Sequence, residues 1–137
     1  MKTRLPVFLF TVLLVVAGSC KKDDVTVVPA PQESALKIDS LKLEKNVPNT
    51  DTLRARLWAK IGNTSCYQFS RFQEVSRDSF STTIRAYYTY TAASNCTPQV
   101  VELKASIYRV YPIYPGIYRF TVLQPDGTAL RDTSRIL

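Results

Sequence analysis

Over residues 52–62 the chain alternates without a break: Leu53, Ala55, Leu57, Ala59 and Ile61 fall on one side, Thr52, Arg54, Arg56, Trp58 and Lys60 on the other. A strand turns successive side chains to opposite faces, so a period of two specifies a half-buried β-strand and excludes a helix, whose apolar positions recur at three and four. The same period returns at 81–90 (Ile84, Ala86, Tyr88, Tyr90), 99–110 (Val101, Leu103, Ala105, Ile107) and 117–123 (Tyr118, Phe120, Val122). Strand-like pieces at 35–45, 67–77 and 129–137 complete the series. About seven strands with turn signals between them predict an all-β domain, an antiparallel sandwich or a small closed barrel.

Two turns sharpen the prediction. In Gln124-Pro125-Asp126-Gly127-Thr128, proline presets one turn angle and glycine supplies a positive φ, which is hairpin chemistry. The segment Ile113-Tyr114-Pro115-Gly116-Ile117-Tyr118 resembles the tyrosine corner of Greek-key sandwiches, one strand before the end. That resemblance implies an immunoglobulin-like β-sandwich in which the Tyr118 hydroxyl bonds backbone a few residues upstream, with Pro115 and Gly116 shaping the corner.

The first twenty residues follow different rules. Lys2 and Arg4 precede an apolar run from Leu5 to Ala17, and the small residues Ala17-Gly18-Ser19 lead to Cys20. This is the layout of an export signal, and its run of about thirteen residues is short of the roughly 20 that span a bilayer. Cysteine directly after the small residues makes it similar to a bacterial lipoprotein signal. The resemblance implies removal of residues 1–19, a helical signal segment, and acylation of Cys20, which stably anchors the chain in a membrane; secretion with a stray thiol is the alternative. Lys21-Lys22-Asp23-Asp24 resembles the surface-export signal of Bacteroidota lipoproteins, against the reading of a plain charged spacer. Residues 20–34, with Pro29 and Pro31, then read as an extended tether to a domain at 35–137. The address implied is the outer membrane, facing the surroundings.

With Cys20 assigned to lipid, Cys66 and Cys96 remain. In an exported domain two cysteines pair as a disulfide, and a hairpin of 67–77 with 81–90, turning near Asp78-Ser79-Phe80, brings the two loops together. A metal pair is the rival, but two cysteines fall short of a four-ligand zinc site, and histidine is absent from the chain. That absence also removes histidine-dependent triads. No glycine-framed serine, phosphate-cradling loop or acidic cluster appears in the folded part, so the domain reads as non-catalytic, with no metal and no cofactor.

Without residues 1–19, 16 basic groups face 11 acidic ones, a net charge of +5. The basic residues are dispersed along the chain, unlike the clustered stripe of a nucleic-acid reader, and no nucleic-acid partner is expected. Tyrosines recur at 87, 88, 90, 108, 111 and 114. Most are expected to pack in the core or at its rim, and the exposed members to offer a stacking surface for a glycan or protein. Tyr87, on the solvent side beside Arg85, is the leading candidate. Asp39-Ser40-Leu41 and Asp51-Thr52-Leu53 resemble the Bacteroidota O-glycosylation motif, with Ser40 and Thr52 as acceptors. The expected function is a membrane-anchored, non-catalytic binding or accessory module; the alternative is a structural or protease-inhibitor-like envelope protein acting through a loop such as 91–98.

Overall fold

The structure, a computed structural model, describes residues 29–111 and 114–137. Cys20, Lys21, Lys22, Asp23, Asp24 and the signal segment lie outside the described residues. Nine strands are present among those described: β1 (Gln32–Leu36), β2 (Ser40–Leu43), β3 (Asn46–Val47), β4 (Leu53–Thr64), β5 (Tyr67–Arg77), β6 (Ser81–Tyr90), β7 (Pro98–Val110), β8 (Gly116–Leu123) and β9 (Ala129–Ile136). They form two sheets, one of three strands ordered β2-β4-β7 and one of six. In the larger sheet β6 carries β5 along one edge and divides the other, Ser81–Ile84 against β8 and Ala86–Tyr90 against β1. Beyond β8 follow β9 and β3.

The fold is all-β and two-layered, as the alternation predicts. Three expectations need correction. Residues 35–45 are not one strand, because the chain changes sheet twice there: β1 lies in the larger sheet, β2 in the smaller, β3 in the larger again. The first strand also begins at Gln32, inside the segment read as tether. Finally, the sheets are not wholly antiparallel, since β6–β8 and β3–β9 are parallel pairs. The chain leaves β6, crosses to the smaller sheet as β7 and returns, so it reverses twice and β8 runs alongside β6.

The core lies between the two inner faces. Leu53, Ala55, Leu57, Ala59 and Ile61 of β4 are all buried, facing Ile84 and Ala86 of β6 and Tyr118, Phe120 and Val122 of β8. Each large aliphatic or aromatic side chain so buried contributes about 1.5–3 kcal/mol. On β7 the alternation fails midway. Ala105 takes φ 50°, and the register jumps from Leu57↔Ser106 to Ala59↔Leu103, a bulge with one extra residue on β7. Such a slip exchanges the two faces beyond it. Leu103 points inward as expected, but past the bulge Val110 is buried and Ile107 is 39% exposed, the reverse of the sequence reading.

Where the chain changes sheet its backbone leaves the ladders, and two side chains take over. Gln124, only 4% exposed, accepts from the Ile38 N–H through Oε1 (3.0 Å) and donates through Nε2 to the Ile38 carbonyl (2.9 Å). Asp132 of β9 accepts from the Leu43 N–H (2.9 Å), from its neighbour Thr133 N–H (2.8 Å) and from the Lys45 ammonium. Burial pushes the Asp132 carboxyl up, but the hydrogen bonds from Lys45, Leu43 and Thr133 outweigh it and hold it below its ordinary 3.8. The folded pKa is therefore depressed, so this stabilisation is complete above about pH 4 and is lost as pH falls through the folded value.

Gln124→Ala strands a buried N–H and a buried carbonyl and is expected to cost about 2–4 kcal/mol in urea unfolding. An unchanged midpoint would mean that Ile38 finds other partners. Asp132→Asn is expected to lower Tm at neutral pH and to remove part of the acid destabilisation of the parent protein, so melts at pH 7 and pH 3 should converge in the variant.

Candidate functional site

The β5–β6 hairpin turns at Asp78-Ser79-Phe80, where aspartate suits a tight reversal because its carboxylate can cap nearby backbone. Asp78 accepts from the Phe80 N–H (2.8 Å) and the Ser81 hydroxyl (2.7 Å), while its own N–H reaches the Ser81 carbonyl (3.0 Å). The Ser81 hydroxyl first, then the Phe80 N–H, with help from the charge of Arg119, hold its carboxyl below the ordinary range. The clamp leaves Phe80 as a large apolar side chain 48% exposed at a loop tip.

Its seat is built by β8. The Phe80 carbonyl accepts from the Arg119 N–H (2.8 Å), and the ring lies over Gly116, where an added Cβ would stand 3.2 Å from Phe80 Cε1. Gly116 has φ +145°, a conformation that side chains rarely adopt. Tyr114 lies beside Phe80, with centroids 6.2 Å apart and planes inclined at 40°. Ile117 is 62% exposed next to them, and the Tyr111 carbonyl is held by Arg77 Nη2 (3.0 Å). Asp78, Ser79, Phe80, Ser81, Ile117 and Arg119 line an open cleft of about 540 Å³. That is the size of small-molecule and oligosaccharide sites, and its walls offer a ring face, a carboxylate, hydroxyls and a guanidinium. Hollows beside Trp58 on the smaller sheet have a half-buried ring in place of exposed ones.

The structure distributes the other sequence candidates differently. Tyr87 and Arg85 do share the outer face of β6, but the Arg71 guanidinium sits 4.6 Å over the Tyr87 ring. Glu33 holds that arginine in two bonds (3.1 and 2.9 Å), so the outer face of this half-buried ring already has an intramolecular partner. Tyr67, Tyr88 and Tyr108 pack at the rim of the core, Tyr90 lies against Tyr67 with ring centroids 4.8 Å apart, and Tyr108 lies 5.6 Å from Phe120. Burial, then a hydrogen bond to Glu74 (3.0 Å), pushes the Tyr108 phenol up to about 12. The exposed tyrosines are Tyr111 and Tyr114.

Tyr118 is buried, but among the described residues its hydroxyl meets Thr82 Oγ1 (2.7 Å), not the upstream backbone that a tyrosine corner implies. Parallel β8 brings Tyr118 beside Thr82, whose register partner is Phe120. Pro115 is exposed just before β8. Ser40 is exposed at the start of β2, and Thr52 is half-buried before β4, its N–H on Asp51 Oδ1 (2.6 Å).

Cys66 and Cys96 are joined in a disulfide, Cα atoms 5.4 Å apart. It closes the opposite end of the domain from the cleft, where the Thr91 N–H bonds the Cys66 carbonyl (3.1 Å) and the Ser65 N–H bonds Thr97 (3.0 Å). Among the described residues no three of His, Cys, Asp or Glu gather as a metal site. Sequence reasoning treated Phe80 only as part of a turn; its signal was a lone phenylalanine in an otherwise polar loop. Comparison with protein-family models, with curated proteins and with solved structures finds no match.

Gly116→Ala is expected to lose about 1–3 kcal/mol through backbone strain and to lift the Phe80 ring from its seat. Unfolding curves and the loss of contacts between the Phe80 and Tyr114 rings in nuclear Overhauser spectra test both effects. A variant that keeps those contacts would show that the seat does not depend on a bare backbone.

Proposed function

We propose that this protein is a lipid-anchored envelope protein whose β-sandwich binds a glycan, without catalysis, in the cleft at the β5–β6 end. The observation that carries the reading is the exposed Phe80–Tyr114 pair with Asp78 and Arg119 at its edge. Rigid aromatic faces stack on the apolar side of a sugar ring, while carboxylate and guanidinium groups bind its hydroxyls. The carboxylate in this cleft is engaged by Ser81 and Phe80, an arrangement for positioning and not for proton transfer.

The anchor rests on the sequence: Cys20 carries the lipid, Lys21 to Asp24 direct surface export, and residues up to the first strand form the tether. Two features of the domain agree with that address. A disulfide suits an oxidising compartment. In addition, β1 enters with Gln32 beside Tyr90, the disulfide end of β6, while the cleft adjoins Ser81 at the other end. Along β6 that is about 30 Å, so a chain tethered at its N-terminus holds the cleft away from its own membrane.

The domain type we propose is immunoglobulin-like. In support, β2-β4-β7 follows the order of the first, second and fifth strands in one sheet of that fold, and β8–β9 matches its last hairpin. The parallel β6–β8 pair is the departure. The loop 91–98, on which an inhibitory role would depend, lies at the tether's end.

Metabolic labelling with a clickable fatty acid is expected to mark the wild-type protein and to fail for Cys20→Ala; a label that persists refutes the anchor. Calorimetric titration of the mature protein against a panel of oligosaccharides should find a binder that Phe80→Ala and Tyr114→Ala each weaken about tenfold, or about 1.4 kcal/mol. Binding untouched by either substitution, or stoichiometric protease inhibition abolished by reduction, would overturn the cleft as the functional site.

A further inference from the structure

The outer face of the larger sheet continues from the cleft as a surface of arginines. On β8 and β9 the buried Tyr118, Phe120, Ser134 and Ile136 point inward, so Arg119, Arg131 and Arg135 point to solvent. The register pairs Arg119 with Thr133, Thr121 with Arg131 and Ile117 with Arg135. Arg131 and Arg135 are thus the two diagonal neighbours of Arg119, each about 7–8 Å away between Cα atoms. The three charges zigzag along roughly 13 Å of the strand pair. Arg85 of β6 stands one strand further across, next but one to Thr83, which registers with Thr121.

These four arginines share an outer face on which β6, β8 and β9 carry no carboxylate. Among the described residues none of Arg85, Arg119, Arg131 and Arg135 forms a salt bridge, whereas Arg71 is held by Glu33 on the same sheet. On the smaller sheet acidic groups stand among the cations: Arg54 meets Glu44 and Asp51, and Lys104 meets Glu102, while Lys42, Arg56, Lys60 and Arg109 form no salt bridge among the described residues. The Nε of Arg85 is buried with no hydrogen-bond partner, a donor left unused by the fold. Like charges at this spacing repel, and an anion lying along them removes the repulsion.

We infer that the ligand is an acidic polysaccharide, one sugar ring on Phe80 and Tyr114 and successive carboxylate or sulfate groups on Arg135, Arg119 and Arg131. This rests on the cleft reading and adds the chemical class. Guanidinium groups grip such anions in two parallel hydrogen bonds, which lysine cannot do. Arg119 belongs to both surfaces, lining the cleft and standing in the ladder between Arg135, opposite the cleft residue Ile117, and Arg131. Between the arginines Thr133 is exposed, a hydroxyl suited to a hydroxylated chain, while Thr121 is buried beneath them. A single-stranded nucleic acid needs aromatic platforms repeated along its path, and among the described residues the exposed rings are Phe80, Tyr111 and Tyr114, none of them on β8 or β9. The membrane of the protein's own anchor lies toward the opposite end of β6.

The test is titration of the mature protein with heparin and polygalacturonate, with neutral dextran of matched length, with a thymidine oligonucleotide and with vesicles containing phosphatidylglycerol, from 50 to about 300 mM salt. The acidic polysaccharides should bind at least tenfold more tightly than dextran, with affinity falling steeply as salt rises. Arg131→Ala with Arg135→Ala should lower that affinity at least tenfold and flatten the salt dependence at unchanged Tm. The paired lysine variants should keep the salt dependence and lose affinity. Equal binding of dextran, with the arginine variants unaffected and Phe80→Ala weakened, overturns the acidic ligand and leaves the cleft standing. Tighter binding of the oligonucleotide or the vesicles overturns the proposal in favour of that partner. No binding of any polysaccharide removes both readings.

Discussion

The strap from β1 to β3 changes sheet twice, and every backbone group it takes out of a ladder must find a partner elsewhere. Buried amides left unpaired cost about 1–3 kcal/mol each, enough to consume a large part of a small domain's stability. Gln124 meets this demand at Ile38 with both ends of one amide, and Asp132 meets it at Leu43 with a carboxylate. Both lie on the last hairpin, more than 80 residues away in sequence, so the N-terminal strap is fully hydrogen-bonded only against the C-terminal strands. The strap in turn lays β1 and β3 onto the larger sheet and β2 onto the smaller. It joins the two layers along their length, as the disulfide joins them at one end.

The cleft depends on the same architecture at the other end. Because β8 lies parallel beside β6, its first residues arrive next to the turn that precedes Ser81. Gly116 then passes under Phe80, and the Arg119 N–H meets the Phe80 carbonyl. An antiparallel neighbour would have brought the far end of β8 to this point. The two ends of the sandwich therefore differ in kind: one is closed by a covalent bond and a net of backbone contacts, the other holds exposed rings and ionised groups.

How much of this could be read from the sequence follows from the range of each interaction. The inner faces of β4, β6 and β8 were legible because alternation is local, and the turns at Asp78 and Gly127 because their chemistry is local too; Gly127 has the positive φ expected (82°). The disulfide followed from the hairpin that brings Cys66 beside Thr91. The Ala105 bulge was not legible, since its sequence continues the alternation and only pairing with β4 shows the slip. The sheet changes at 37–39 and 44–45 were hidden for a similar reason: the residues that satisfy them are distant and polar. At the site, Tyr87 was correctly placed on a solvent-facing position, yet its neighbour across the ladder, Arg71, cannot be found without the register.

The Pro-Gly-Ile-Tyr segment shows how a local motif can carry two duties. Tyr118 turns inward and ties β8 to β6 through the Thr82 hydroxyl, a bond wholly within the core. Gly116, two residues earlier, leaves bare backbone beneath the Phe80 ring, while Ile117 between them faces solvent at the cleft and Arg119 follows on the same side as Ile117. Alternation makes this division unavoidable: once Tyr118 is committed to the core, positions 117 and 119 must face out. The buried hydroxyl pair therefore fixes the orientation of the groups that would meet a ligand. A change at Tyr118 would reach the cleft without touching it, since loosening β8 moves Gly116, Ile117 and Arg119 together.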